Sequence, residues 1–294
     1  MFPNFTQHYA KSNGIQIHYV IGGDGPPLLL LHGYPQTLFI WNQMVHKLAQ
    51  HFTVIASDLR GYGKSDCPPS DPDHYNYSKR EMARDQVELM KHLGFTEFYL
   101  AGHDRGGRVA HRLLLDHEEC VRKWAVLDIA PTHEMYTSTD MEFAAAYYHW
   151  FFLIQPDGYP EKMIGQNPDF FLKSKFKYWG KDSVPLRKTA YNHYKDCFDQ
   201  ETIRASCEDY RASATIDLEH DEIDLNANRK ISKSLLCLWG QHGFVGRKYD
   251  VVKEWQKWAK SVVGFGLPCG HYLPEESPEE TADALIEFFS DNQL

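Results

Sequence analysis

The sequence predicts an α/β fold in which a mostly parallel sheet is flanked by helices and carries a helical cap insertion. Three observations predict it. Short, continuous apolar runs recur along the chain, each stopped by Gly, Pro or Asp, as expected of strands buried on both faces of a parallel sheet. Helical patterns lie between these runs. From about residue 131 to residue 228 the strand rhythm stops, and a helix-compatible segment rich in Tyr, Trp and Phe takes its place.

Taken in order, Leu28-Leu29-Leu30-Leu31 is the first such strand and ends at His32-Gly33-Tyr34-Pro35. Phe52 to Ala56 is the next and ends at Asp58-Leu59-Arg60-Gly61-Tyr62-Gly63. Ser78 to His92 has helical spacing. Phe98 to Ala101 runs into Gly102-His103-Asp104-Arg105-Gly106, after which a helical pattern begins. Trp124 to Leu127 ends at Asp128, and Leu235 to Trp239 ends at Gly240. Val252 to Lys260 reads as a helix, and Gly270-His271-Tyr272 lies near the end. The expected division is a core of residues 1–130 and 229–294 with a cap of residues 131–228. Every polar motif falls just after a strand, where open α/β sheets place their ligands.

Composition excludes several functions. The chain of 294 residues is 43% hydrophobic and 14% aromatic, enough for a large core and against disorder. A net charge of -9 without a long basic run argues against nucleic acid. No apolar stretch approaches the roughly 20 residues of a membrane span, and no signal peptide is read at the start. The six cysteines are widely spaced with no C-x-x-C pair, so neither a metal site nor a disulfide framework is expected. Reduced thiols in a cytoplasmic enzyme are the expectation.

The most informative segment is Gly102-His103-Asp104-Arg105-Gly106. Strand, sharp turn and helix in this order form a nucleophile elbow, with Asp where a serine hydrolase has Ser. A carboxylate nucleophile can displace a leaving group from saturated carbon or open an epoxide, leaving an ester that must be hydrolysed. Asp104 is therefore the candidate nucleophile. The arginines that follow it and the positive end of the next helix both favour its ionised form.

With these motifs, the chain resembles α/β-hydrolases of the haloalkane dehalogenase and epoxide hydrolase branch, and within that branch the fluoroacetate (haloacetate) dehalogenases. The likeness spans essentially the whole chain and rests on His32 to Pro35, Asp58 to Ser65, His103 to Arg108, His149-Trp150 and Gly270-His271-Tyr272. It implies that His271 is the general base, activating a water against the Asp104 ester. The acid that orients this base commonly follows the later strand in a Trp-Gly-x-x-Asp pattern. Here that stretch reads Trp239-Gly240-Gln241-His242-Gly243, so Asp128, after the preceding strand, takes the role.

Relatives that act on apolar substrates typically carry Trp at the position of Arg105. Arg105 and Arg108, three apart on one helical face, imply instead a small anionic substrate whose carboxylate they clamp. The resemblance further implies a halide site of His149, Trp150 and Tyr210. It implies an oxyanion hole from the backbone N–H groups of Tyr34 and Arg105, with Trp179 lining the pocket. Relatives often carry Phe at the position of Tyr34. No cofactor and no metal are implied, the partners are haloacetate, water and the halide product, and a homodimer is expected. An epoxide hydrolase is the runner-up, kept open by Tyr147, Tyr148 and Tyr210. A non-catalytic small-molecule receptor on the same fold is the remote alternative.

Overall fold

The computed structural model describes residues 2–180 and 186–290. Eight strands form one sheet: β1 (Thr6–Ser12), β2 (Ile15–Gly22), β3 (Pro27–Leu31), β4 (Thr53–Ser57), β5 (Phe98–His103), β6 (Val121–Leu127), β7 (Leu235–Gly240) and β8 (Val262–Leu267). Their order is β1-β2-β4-β3-β5-β6-β7-β8. β2 runs antiparallel to both β1 and β4, and every other pairing is parallel. The five apolar runs are the five central strands. Leu28 to Leu31 are wholly buried. The strands absent from the sequence prediction are the outer ones. β1 is mostly exposed, and β8 alternates half-buried with exposed residues through two glycines.

β3 pairs with β4 on one side and β5 on the other. The chain thus reverses direction across the sheet at β3, and a crevice opens above the carboxyl ends of β3 and β5. Tyr34 follows the first of these strands and Asp104 the second. The helix Arg105–His117 is buried from Arg105 to Leu115 and packs on β5, β6 and β3. The helix Lys79–His92 packs against it and begins at Ser78, whose hydroxyl accepts from the Glu81 N–H at 3.3 Å.

The helix expected over Val252–Lys260 is shorter. It spans Val251–Trp255. Beyond it the chain turns so that Ile231 and Ala259 form a parallel bridge. The Trp258 carbonyl accepts from Ile231, and the Lys260 N–H donates to the Ile231 carbonyl. Two indoles hold the turn inward: Trp255 donates to the Ile129 carbonyl at 3.0 Å and Trp258 to Glu134 at 2.9 Å. Tertiary anchoring of large side chains overrides local helical periodicity here. Between β6 and β7 the described chain is helical, from Thr132–Thr137 to Ile216–Asn226. Among the described residues no helix is long and apolar enough to cross a membrane.

Close approach at the elbow requires glycine. A Cβ on Gly102 would stand 2.4 Å from the Gly106 carbonyl oxygen, and one on Gly106 2.5 Å from that of His32. Gly102→Ala is expected to destabilise the fold by about 1–3 kcal/mol, as overpacking against backbone does, read as a lower urea midpoint at unchanged slope.

Candidate active site

Asp104 sits between β5 and its helix with φ 48° and ψ -114°. A non-glycine residue held there costs about 1–3 kcal/mol, and the surroundings impose it. Gly33 lies so close that a Cβ on it would be 2.4 Å from the Asp104 Cβ. The turn lifts the carboxylate out of the strand. Oδ1 accepts the Tyr34 backbone N–H at 2.8 Å, while Oδ2 faces the His271 Nε2 at 3.9 Å. Burial pushes the carboxyl toward protonation. His271, His103, Arg108 and Arg105 outweigh it, so Asp104 stays below its ordinary pKa. The Arg105 backbone N–H opens the adjoining helix turn.

His271 Nδ1 lies 2.6 Å from Asp128 Oδ2. The other carboxylate oxygen accepts the Gly240 N–H at 2.9 Å. Asp128 itself occupies positive φ, 52°. A Cβ on Gly243 would lie 3.4 Å from Asp128 Oδ1. An acid after β6 thus fills the space that a side chain after β7 would otherwise enter. Burial lowers the His271 pKa, but the hydrogen bond and charge of Asp128, with Asp104, hold it above 6.5. Burial drives the neighbouring His103 down to about 3, so it stays neutral, and its Nε2 donates to the His271 carbonyl at 2.8 Å. The 3.9 Å gap from His271 to Asp104 is too long for a hydrogen bond and suits a base that acts on an intervening water.

The two arginines differ in a way the sequence does not disclose. Arg105 turns its fork away from the nucleophile. Its Nε and one Nη reach the Asp209 carboxylate at 2.9 and 2.7 Å, and the same Nη reaches Ser213 at 2.6 Å. Only the other Nη is unpartnered. Arg105 therefore cannot grip a carboxylate with a two-pronged face; it offers one nitrogen. Arg108 is held by the Ala130 carbonyl, Thr132 and the Met135 sulfur, and its Nε is unpartnered. Among the described residues it has no carboxylate within 4 Å. Its guanidinium stacks on Trp150 at 4.7 Å, as that of Arg105 does on Tyr210 at 4.1 Å. Arg108 is thus a buried cation with no ion-pair partner among the described residues.

The cap brings a ring of donors to the same place. His149 and Trp150 come from the helix Tyr148–Phe152 and Tyr210 from the helix Gln200–Ala214. The His149 Nδ1, Trp150 Nε1 and Tyr210 hydroxyl are all buried without a hydrogen-bond partner. Their rings interlock, His149 to Tyr210 at 5.6 Å and Trp150 to Tyr210 at 6.4 Å. The Tyr34 hydroxyl is orphaned too, its ring 5.4 Å from Tyr210 and 6.4 Å from His149. A residue expected to act through its backbone thus adds a side-chain donor. Burial, with help from Lys175 and the two arginines, keeps the His149 imidazole well below 6.5 and neutral. Trp179 packs on His149 at 4.4 Å, and its carbonyl accepts the His271 N–H at 3.0 Å.

Sequence reasoning missed four groups. Asp209 is shared by Arg105, Lys79 and the Tyr62 hydroxyl, the last at 2.6 Å. Tyr136 stacks on Trp150 at 4.7 Å with its hydroxyl unpartnered. Asp209 stands beside Tyr210 in an ordinary helical stretch, and no local pattern links it to Arg105 or Lys79. Away from these residues, His18 and His74 pair with Asp58 and Glu208, each at 2.6 Å. His74 and Glu208 belong to a groove of about 630 Å³ that touches none of the triad residues. The arginine Arg211 in its wall already holds Glu161 at 2.7 Å.

The chain belongs to the α/β-hydrolase family, matching the α/β hydrolase fold over residues 26–278. It is 43% identical to a fluoroacetate dehalogenase of Burkholderia sp, across 99% of this chain and 96% of that protein. It is 32% identical to a soluble epoxide hydrolase of Corynebacterium sp. (strain C12), across 99% of both. A crystal structure from Nostoc sp PCC 7120, described as that of an α/β hydrolase, superposes with a TM-score of 0.97 at 56% identity, covering 99% of each chain.

Because Asp209 is fully buried between two cations, Asp209→Ala leaves both without it. The expected loss is about 3–5 kcal/mol of stability, measured by urea unfolding, against under 1 kcal/mol for an exposed pair such as Arg84–Glu88, truncated at Arg84.

Proposed function

We propose that this α/β hydrolase removes halide from 2-haloacetates, with fluoroacetate converted to glycolate and fluoride. The observation that carries this reading is the unpaired Arg108 cation beside a carboxylate nucleophile, under a ring of unpartnered donors. Two anions 4 Å apart repel by about 4 kcal/mol at an effective dielectric of 20. Arg108, with the free nitrogen of Arg105, offsets that and anchors the substrate carboxylate. Asp104 Oδ2, the oxygen not held by Tyr34, attacks the α-carbon. The carbon–halogen bond breaks as the ester forms, and the halide takes the electron pair. His149, Trp150 and Tyr210 replace its lost hydration, with the Tyr34 hydroxyl as a fourth donor.

In the second step a water attacks the Asp104 carbonyl carbon and gives its proton to His271 Nε2, while Asp128 stabilises the imidazolium. Charge collects on Oδ1, already in the donor field of the Tyr34 N–H and next to that of Arg105. Collapse expels glycolate, protonated by His271, and the second proton of the water leaves the Asp104 carboxyl for solvent, which returns the carboxylate. This chemistry calls for no cofactor and no metal. Residues 131–228 act as the cap on a core of 1–130 and 229–294, in a homodimeric cytoplasmic enzyme. An epoxide hydrolase is the second reading. It is favoured by the free hydroxyls of Tyr210 and Tyr34, which could protonate an opening oxygen, and by the Corynebacterium relative. Tyr148, offered for that role, is half-exposed and bound by Lys175. A receptor without turnover is the remaining, more distant reading.

The deciding experiment is halide release from fluoroacetate and chloroacetate by the wild type and Asp104→Asn. Fluoride that disappears in the variant supports the reading. Chloride without fluoride removes the defluorination, and no halide from either points to epoxides. His271→Ala is expected to slow turnover about 10²–10⁴-fold and to accumulate protein heavier by one carboxymethyl group on Asp104, read by mass spectrometry.

The base must be neutral to accept a proton, and its pKa lies above 6.5. The kcat is therefore expected to be full above that raised value and to fall as pH drops through it. Asp128→Asn removes the main cause of the upward shift. It is expected to move the inflection to lower pH while lowering the plateau.

A further inference from the structure

Asp104 is only 4% exposed, so an anion must cross the cap to reach it. A cavity of about 400 Å³ lies between cap and core, with His271 and Trp179 among its walls. Trp179 packs on His149 and, at 5.8 Å, on His271. One ring thus borders both this cavity and the inner site.

The basic side chains lining the cavity are Lys175, Arg247, His242 and His271, with no Asp or Glu among the described lining residues. This is the reverse of a chain whose net charge is -9. Lys175 is 1% exposed. Its ammonium donates to the Tyr148 hydroxyl at 2.7 Å and lies over the rings of Tyr148, Phe171 and Trp179 at 4.1, 4.6 and 5.0 Å. Among the described residues it has no carboxylate within 4 Å, and burial pulls its pKa down to about 7. Arg247 is exposed and likewise without an acid within 4 Å, although the adjacent Lys248 holds Asp140 and Glu142. A lysine buried among aromatic rings without an acid is costly where Met or Leu would pack freely. The arrangement is explained if the missing counter-charge is a passing anion.

We propose that this cavity is an anion vestibule: Lys175 and Arg247 collect the carboxylate of a small acid and deliver it past Trp179 to Arg108. The proposal rests on the haloacid reading of the inner site. Cations in low-dielectric walls raise the local concentration and on-rate of an oppositely charged ligand, and an arriving carboxylate in turn favours the charged form of Lys175, so Lys175 and Arg247 set capture and leave the reacting atoms to others. No bond is made or broken in this step.

The test uses the full-length wild type with Lys175→Met, Lys175→Arg and Arg247→Gln. Chloride release from chloroacetate is followed at low and high ionic strength, and the affinity for acetate, an unreactive carboxylate, is measured by calorimetry. Lys175→Met and Arg247→Gln are each expected to lower kcat/KM about tenfold through KM, to flatten its salt dependence, and to weaken acetate binding. Lys175→Arg should restore all three. Arg247 is exposed, so its replacement reports even where Lys175→Met fails to fold. Chloride release with the same kcat/KM and salt slope in Arg247→Gln and Lys175→Met overturns the vestibule and leaves the dehalogenase reading standing. So does a loss confined to kcat. No chloride from any form, together with acetate binding that depends on Lys175 and Arg247, sinks the dehalogenase reading and keeps the vestibule.

Discussion

The buried charge of Asp104 is the constraint around which this molecule is organised. A carboxylate removed from water protonates unless its surroundings supply what water did. Here one oxygen receives a backbone N–H from Tyr34, the following helix presents its positive end, and Arg108 stands unpaired beside it. Each of these needs the sharp turn after β5, and the turn needs Gly33, Gly102 and Gly106, because their missing side chains are the space it occupies. The strained backbone and the crowded glycines are two descriptions of one requirement, a charged side chain held clear of the sheet and dry.

A second buried charge ties the cap to the core. Asp209, on a cap helix, takes Arg105 from the elbow and Lys79 from the start of a core helix, with Tyr62 completing the cluster. Such a cluster adds little net stability against an apolar equivalent but is severe about geometry, since Asp209 out of place leaves Arg105 with no carboxylate within 4 Å among the described residues. That severity sets where Tyr210, the next residue, stands over the nucleophile. It also divides labour between the arginines: Arg105 is a structural tie with one spare nitrogen, and Arg108 is the spare charge. A small anion arriving at such a site meets one strong cation and a set of fixed dipoles.

Much of this was legible along the chain because the information was local. Buried parallel strands need uninterrupted apolar runs, so the five central strands stood out, whereas β1, β2 and β8 lie toward the edges, where partly exposed polar residues and glycines blur the pattern. The elbow was legible because turn, glycines and nucleophile are neighbours. The helix assigned to Val252–Lys260 ended early because Trp255 and Trp258 are anchored to Ile129 and Glu134, partners remote in sequence. Arg105 looked like half of a clamp because its own partner lies far along the chain, at Asp209.

By itself, then, the sequence determined the α/β class, the central strands, the elbow with Asp104 and the presence of two arginines beside it. These follow from short-range patterns of burial and backbone geometry. Only the tertiary structure decided which arginine stays free and that Tyr34 and Tyr136 bring orphaned hydroxyls to the site. It alone set Lys175, with no carboxylate within 4 Å among the described residues, in the wall of the cavity that Trp179 and His271 also line. The reason is physical: the charge state and free valences of a buried polar group depend on which distant groups are folded against it, and that is a property of the packed chain rather than of its order.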